Sequence, residues 1–313
     1  MALFSSNERT KKLGFGQTPF EILSDFLAGL DKTNKSNLDN LSKCCGNFKE
    51  EKIIECVFLI CKKLRLDPTV GYHATEILER FMTKHLERIY SSQNCQTLQG
   101  ATCGQKTNYE DMVFEDVNEK FFVFILSSVQ IASKLALHSS VIDNNAAMEF
   151  LHSVGRTCSK EKLMESELLI LKTLDFNLNL PNPLSYVETL LEILGYNDPS
   201  VPVAHLHHLC RYTLQFIYLQ RGPIYQSLLV VVTGCSSPPP EHRVKFVSVT
   251  EDCMLLGVAV IAVSAFIHNI STWEQVVAEL NLITGISIRS IMDFAHVVLM
   301  HISGCPPCKH LNQ

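Results

Sequence analysis

Residues able to do chemistry are few and scattered along this chain. Gly14-Phe15-Gly16 starts like a glycine-rich loop, but a third glycine is missing and no strand-like run precedes it, so no phosphate cradle is expected. No Gly-Lys-Ser/Thr run and no His-Glu-x-x-His occurs. His205, His207 and His208 fall within about one helical turn. Residues three apart can share a metal, yet two imidazoles rarely hold one, and a solvated helix face is the plainer reading. Cys305-Pro306-Pro307-Cys308, with His301 and His310 on either side, has the spacing of zinc ligands. There is no second Cys-x-x-Cys, and a flexible tail is expected over 304–313. No acid, base and nucleophile set assembles, so the sequence predicts no catalytic residue, no cofactor site and no metal site.

One pair of charges has a different character. Lys134 is the only formal charge between Phe121 and Leu137. An ammonium in such a run is costly unless it is paired or reaches an interface. Glu167 is its natural partner, because on a helix it shares a face with Leu163, Ile170, Leu171 and Leu174, whereas Glu165 points toward the face of Lys172. Two readings follow: an intramolecular ion pair at the rim of a core, or a pair presented to another protein.

The elements that would position these residues are helical. Apolar residues recur at helical spacing almost everywhere, and period-two alternation is scarce. Phe20, Leu23, Phe26, Leu27 and Leu30 predict a short amphipathic N-terminal helix. Helices follow at about 49–65 and from Asp67-Pro68 to about Tyr90, where the aspartate and proline suit a helix start. Ser91 to Glu110, polar apart from Cys95 and Cys103, reads as a long exposed loop. Phe121 to Leu137 is apolar on nearly every side and reads as a central helix. Shorter helices are expected at 143–154 and 159–174, the second capped by Ser159.

Pro181-Asn182-Pro183 is the best boundary, since two prolines cannot continue a helix. Beyond it helices are predicted at 184–195, 202–220, 223–233, 250–268, 272–282 and 286–303. Gly234 to Val249, with Pro238-Pro239-Pro240, reads as a surface loop. Each half thus surrounds one almost wholly apolar helix, a weak structural repeat without repeated sequence.

Composition narrows the function. Of 313 residues 46% are hydrophobic and 19% charged, which excludes disorder as the main description. Lys plus Arg is 27 against 32 Asp plus Glu, and a net charge of −5 argues against a general nucleic-acid binder, although Lys62, Lys63 and Arg65 form a small basic cluster. The longest uncharged apolar stretch, Cys253 to Ile267, is shorter than the ~20 residues a membrane span needs. Met1 to Lys12 is polar, so no secretory signal is expected, and the twelve cysteines are expected to be free thiols in a reducing compartment, the cytosol or nucleus.

The stretch from Glu50 to Phe176 resembles a cyclin box. Glu76-Ile77-Leu78-Glu79-Arg80-Phe81 is similar to that family's Asp-Arg-Phe-Leu turn of helix, and Val129-Gln130-Ile131-Ala132-Ser133-Lys134 to its Leu-Ala-Ser-Lys. Glu167-Leu168-Leu169-Ile170-Leu171-Lys172-Thr173-Leu174-Asp175-Phe176 resembles its Glu…Leu-Lys-x-Leu-x-Phe. The second half is similar to the C-terminal cyclin fold through the helix at 250–268, Thr272-Trp273 and Gly285. The resemblance implies an all-α chain of two tandem five-helix cyclin-fold domains, 48–180 and 181–303, behind a helical N-terminal extension, 1–47. It also implies a kinase-type interface at Lys134, Glu167, Glu79 and Val123, with the lysine and glutamate contacting the regulatory helix of a kinase.

Some positions depart from the family pattern. Its arginine on the first helix aligns with Glu50, leaving Lys49 and Lys52 as the nearest cations for Glu79. Its Met, Leu and Trp docking patch maps to Lys49, Ile53 and Cys56, so docking of short basic-apolar motifs is not expected. The acidic pair after the lysine is replaced by Ala136 and Leu137, so either a cyclin-dependent kinase or another helical protein is expected on that face.

Ala74 to Met82, Leu180 to Glu192, Lys245-Phe246 and Glu251 to Leu256 resemble one branch of the family in particular. That branch implies a non-enzymatic adaptor that promotes maturation of meiotic recombination intermediates into crossovers. It would work in the nucleus on meiotic chromosomes, with the cytoplasm as a second location, alongside a RING-type ubiquitin or SUMO ligase and crossover factors. No direct nucleic-acid contact and no membrane are expected. A general cell-cycle kinase regulator and a cyclin-fold transcription factor remain the alternative readings.

Overall fold

The structure, a computed structural model, describes residues 15, 18–42, 45–97, 120–136 and 141–304. Among the described residues all regular structure is helical, as the sequence predicts. The helices are α1 (Phe20–Asp39), α2 (Glu51–Lys63), α3 (Pro68–Thr97), α4 (120–135), α5 (Asn144–Ser153), α6 (Lys160–Thr173) and α7 (Pro183–Asn197). They continue with α8 (Val203–Leu219), α9 (Arg221–Thr233), α10 (Pro240–Thr250), α11 (Cys253–His268), α12 (Ile270–Thr284) and α13 (Ile288–Ser303). The chain divides into two compact units. One joins Asn34–Leu184 to Phe216–Cys253; the other joins the described residues up to Thr33, Ser185–Gln215 and those from Met254 onward.

In the first unit the core forms around α4, where every residue from Phe124 to Ser133 is buried. A helix buried on all sides must satisfy its polar groups internally, and Gln130 donates to Asn144 at 2.9 Å. Two of its serines turn their hydroxyls back to its own backbone, Ser128 to the Phe124 carbonyl at 2.8 Å and Ser133 to that of Gln130 at 2.8 Å. Val57, Ile60 and Cys61 of α2, Ile77, Leu78 and Phe81 of α3, and Leu163 and Ile170 of α6 belong to the same core. The ends are set locally. Asp67 accepts from the Thr69 N–H at 2.9 Å, Asp143 from that of Ala146 at 2.8 Å, and Ser159 from that of Lys162 at 3.3 Å, each occupying a donor that has no partner within its helix. α6 ends with Asp175 and Phe176 at φ 53° and 56°, and the Phe176 N–H closes back on the Leu171 carbonyl at 2.8 Å.

In the second unit the corresponding rod is α11, buried from Leu256 to Ala265. Gly257 permits a close approach there: a Cβ on it would lie 3.3 Å from both Leu190 and Tyr186 of α7. Thr213 and Ser264, 3.1 Å apart, join α8 to α11.

Three sequence expectations change. α3 runs on to Thr97, so 91–97 is helix rather than loop, and 98–110 lies outside the described residues. Gly234 to Val249 is not all loop: α10 starts at Pro240, because prolines at the helix start lack only N–H groups that would be unpaired anyway, and Phe246 supplies a buried anchor. α1 continues past the apolar stripe to Asp39; its Asn34, buried, donates to Asp252 at 2.8 Å and accepts from the Cys253 N–H at 3.0 Å. No single described helix is long and apolar enough to cross a membrane.

Candidate functional site

The smallest side chains bring α4 and α6 together. Ser127 on α4 donates to Ser166 on α6 at 3.0 Å in a buried contact; Lys134 lies about two turns further along α4, and Glu167 directly follows Ser166 on α6. Lys134 Nζ donates to Glu167 Oε1, the pairing expected from the sequence. The lysine side chain is 41% exposed and the glutamate 17%. A pair this wet contributes about 0–1 kcal/mol to the isolated protein. The ammonium has three donors and Glu167 Oε1 occupies one of them.

The pair stands among exposed apolar side chains. On α6, Met164, Glu167, Leu168 and Leu171 follow the i, i+3, i+4, i+7 spacing of a single stripe, with Met164 51% and Leu168 44% exposed. Leu135, next to Lys134, is exposed as well, and Phe176 beyond the end of α6 is 64% exposed. Asp175 beside it is held by Lys84 at 3.3 Å and Arg88 at 3.7 Å. The sequence reading places no role on Met164, Leu168 or Phe176. Their signal is present nonetheless: α6 carries more apolar residues than the buried stripe of Leu163, Ser166, Ile170 and Thr173 can use.

Of the other expected interface residues, Val123 is half-buried and packs against the core of the first unit. Glu79 is 1% exposed, and its carboxylate accepts from the N–H groups of Gly46 and Phe48, the latter at 2.8 Å, pinning the turn before α2. Burial raises its pKa, and Lys49 nearby opposes the rise. The structure therefore brings Lys134 and Glu167 together and places Glu79 in the interior.

Lys49 itself joins a buried network absent from the sequence reading. Its ammonium lies 2.8 Å from Glu76 on α3 and 2.6 Å from Glu251 after α10. Arg221, at the start of α9, binds the other oxygen of Glu251 at 2.8 Å and also the Thr250 carbonyl. Tyr218 donates to Glu76 at 3.3 Å. Burial alone would pull Lys49 down, but Glu251 and Glu76 hold it protonated above its usual range. Burial would raise Glu251, and Lys49 with Arg221 overrides it and keeps the carboxyl below its ordinary value. A lysine held protonated has no lone pair to offer as a base or nucleophile.

The three histidines do not converge. His207 pairs with Glu188 at 3.0 Å, the His205 ring packs 4.8 Å from that of His268, and His208 packs 4.9 Å from Tyr212. No group of three metal-ligating side chains occurs among the described residues. Gly14, Gly16, Cys305, Cys308 and His310 lie outside the described residues. Cys45, Cys56, Cys61, Cys158, Cys210, Cys235 and Cys253 are free thiols.

Among the described residues, helices alone, with a buried rod in each unit and a Lys–Glu pair at the end of the first rod, are consistent with a cyclin-like fold. No family model matches the chain. Comparison with curated proteins finds Cyclin N-terminal domain-containing protein 1 of Homo sapiens, 43% identical over 287 residues, covering 92% of this chain and 86% of the human protein. The Mus musculus protein of the same name is 41% identical over 292 residues, covering 93% and 86%. The chain belongs to the cyclin N-terminal domain-containing protein 1 family.

Proposed function

We propose that this chain is a non-enzymatic cyclin-like adaptor whose α4–α6 face receives a cyclin-dependent kinase. The observation that carries this reading is the half-exposed Lys134–Glu167 pair set among Met164, Leu168 and Leu135. Such a face suits the end of a partner helix. Lys134 has donors free for the carbonyls at a helix C-terminus, where the macrodipole is negative, and Glu167 accepts from N–H groups. Covering a half-exposed Met or Leu yields roughly 1 kcal/mol each, about half the value for full burial, which adds affinity beyond that of the ion pair. Binding there holds a kinase helix in one position, either stimulating the kinase or joining it to other proteins.

By its resemblance, the assembly acts in the nucleus on meiotic chromosomes. There it promotes crossover maturation together with a RING-type ubiquitin or SUMO ligase. The test is co-purification from spermatocytes with the tagged wild-type chain and with Lys134→Glu. A cyclin-dependent kinase and crossover factors are expected with the first and are lost with the second. Recovery of the same partners by both proteins overturns the reading.

A further inference from the structure

The turn between α9 and α10 holds a feature that the partner face leaves unused. Only two Ser/Thr-Pro dipeptides occur in the chain, Thr18-Pro19 and Ser237-Pro238. Thr18 is half-buried, whereas Ser236 and Ser237 are exposed between Gly234, which ends α9 at φ 63°, and the start of α10. Pro238 is buried and anchors the turn, and Pro239 at φ −65°, ψ 159° keeps the chain extended beyond it. Ser237 is an exposed hydroxyl in a bend of the chain between two helices, followed directly by proline, the dipeptide a proline-directed kinase accepts.

A receiver for the phosphate is already in place. Arg243, exposed on α10, turns back so that its Nε donates to the Pro238 carbonyl at 3.4 Å, one residue from Ser237. Its two terminal nitrogens have no partner among the described residues. Guanidinium and phosphate form paired, charge-assisted hydrogen bonds.

We infer that Ser237 is a phosphorylation site for a proline-directed serine/threonine kinase, and that Arg243 holds the phosphate and fixes the α9–α10 turn. In the step, Ser237 Oγ bonds to the γ-phosphorus of ATP, the bond to the ADP oxygen breaks, and the hydroxyl proton leaves to the kinase's base. The assignment needs no kinase bound to the α4–α6 face, so it stands or falls apart from the function proposed above.

The intact chain is incubated with Mg-ATP and a purified proline-directed kinase, shown first to label a free peptide of residues 230–245. Phosphopeptide mapping is expected to find phosphate on Ser237, absent in Ser237→Ala and retained in Ser236→Ala. Hydrogen exchange at amides 241–243, the first that follow the three prolines, is expected to slow about tenfold on phosphorylation, the scale of one charge-assisted bond, and not to slow in phosphorylated Arg243→Ala. Labelling of the peptide but not of the folded chain, or labelling at Thr18 or Ser236 in its place, overturns the site. Equal protection with and without Arg243 overturns its role as receiver.

Discussion

Lys134 and Glu167 illustrate how much one residue's surroundings decide. Because both are partly in water, breaking their bond removes about 0–1 kcal/mol from the free protein. Lys134→Glu is expected to melt within about 2 °C of wild type, within what that energy allows, while losing its partner. Exchanging both charges, Lys134→Glu with Glu167→Lys, separates the two roles. The exchange restores the internal pair but reverses the polarity offered outward, so binding measured by calorimetry stays defective. Recovery of binding in the double variant would show that only the internal pair matters. Lys49 behaves oppositely, since its side chain is 3% exposed between Glu76 and Glu251. Lys49→Met leaves buried Glu76 without its cation and Glu251 with Arg221 alone, and is expected to cost about 3–5 kcal/mol in a urea titration. A loss below about 1 kcal/mol would show that the carboxylates find other partners or protons at little cost.

At the scale of elements, the sequence was most readable where one pattern filled a whole helix. α4 and α11 are apolar all round, so their central places follow from composition, and Lys134 is conspicuous because nothing else in its run is charged. Partnerships across long separations were not readable. Lys49 and Glu251 lie 202 positions apart, and neither carries a local sign of the other. α10 was hidden for another reason: three consecutive prolines read as a break, but the last of them opens the helix. Glycine permits close packing between α7 and α11. Gly257→Val would push methyl groups toward Leu190 and Tyr186, already 3.3 Å from an ideal Cβ, and is expected to cost about 1–3 kcal/mol. Hydrogen exchange should show the loss in α7 and α11; unchanged protection there would contradict the close approach.

For the whole molecule, the pH dependence of unfolding carries a definite sign. His73, largely buried with Nε2 3.4 Å from the Leu178 carbonyl, has its pKa lowered, chiefly by burial. The unfolded chain takes up that proton first, near pH 6.5, so stability is full above this value and declines as pH falls below it. Glu251, depressed by Lys49 and Arg221, adds a further loss as pH falls below the ordinary carboxylate value near 4.3. Equilibrium unfolding between pH 7.5 and 5 is expected to show the decline in wild type and a flatter curve in His73→Gln. Matching slopes would assign the effect to another group.

The account rests most heavily on the α4–α6 face as a protein-binding surface. Its most direct test is the affinity of the purified chain for a panel of purified cyclin-dependent kinases, with Lys134→Glu and its melting temperature measured in parallel. At least one kinase is expected to bind the wild type and to bind Lys134→Glu about tenfold or more weakly, a change of about 1.4 kcal/mol, with the fold intact. Equal affinity for both proteins, or no binding by any kinase in the panel, would contradict it.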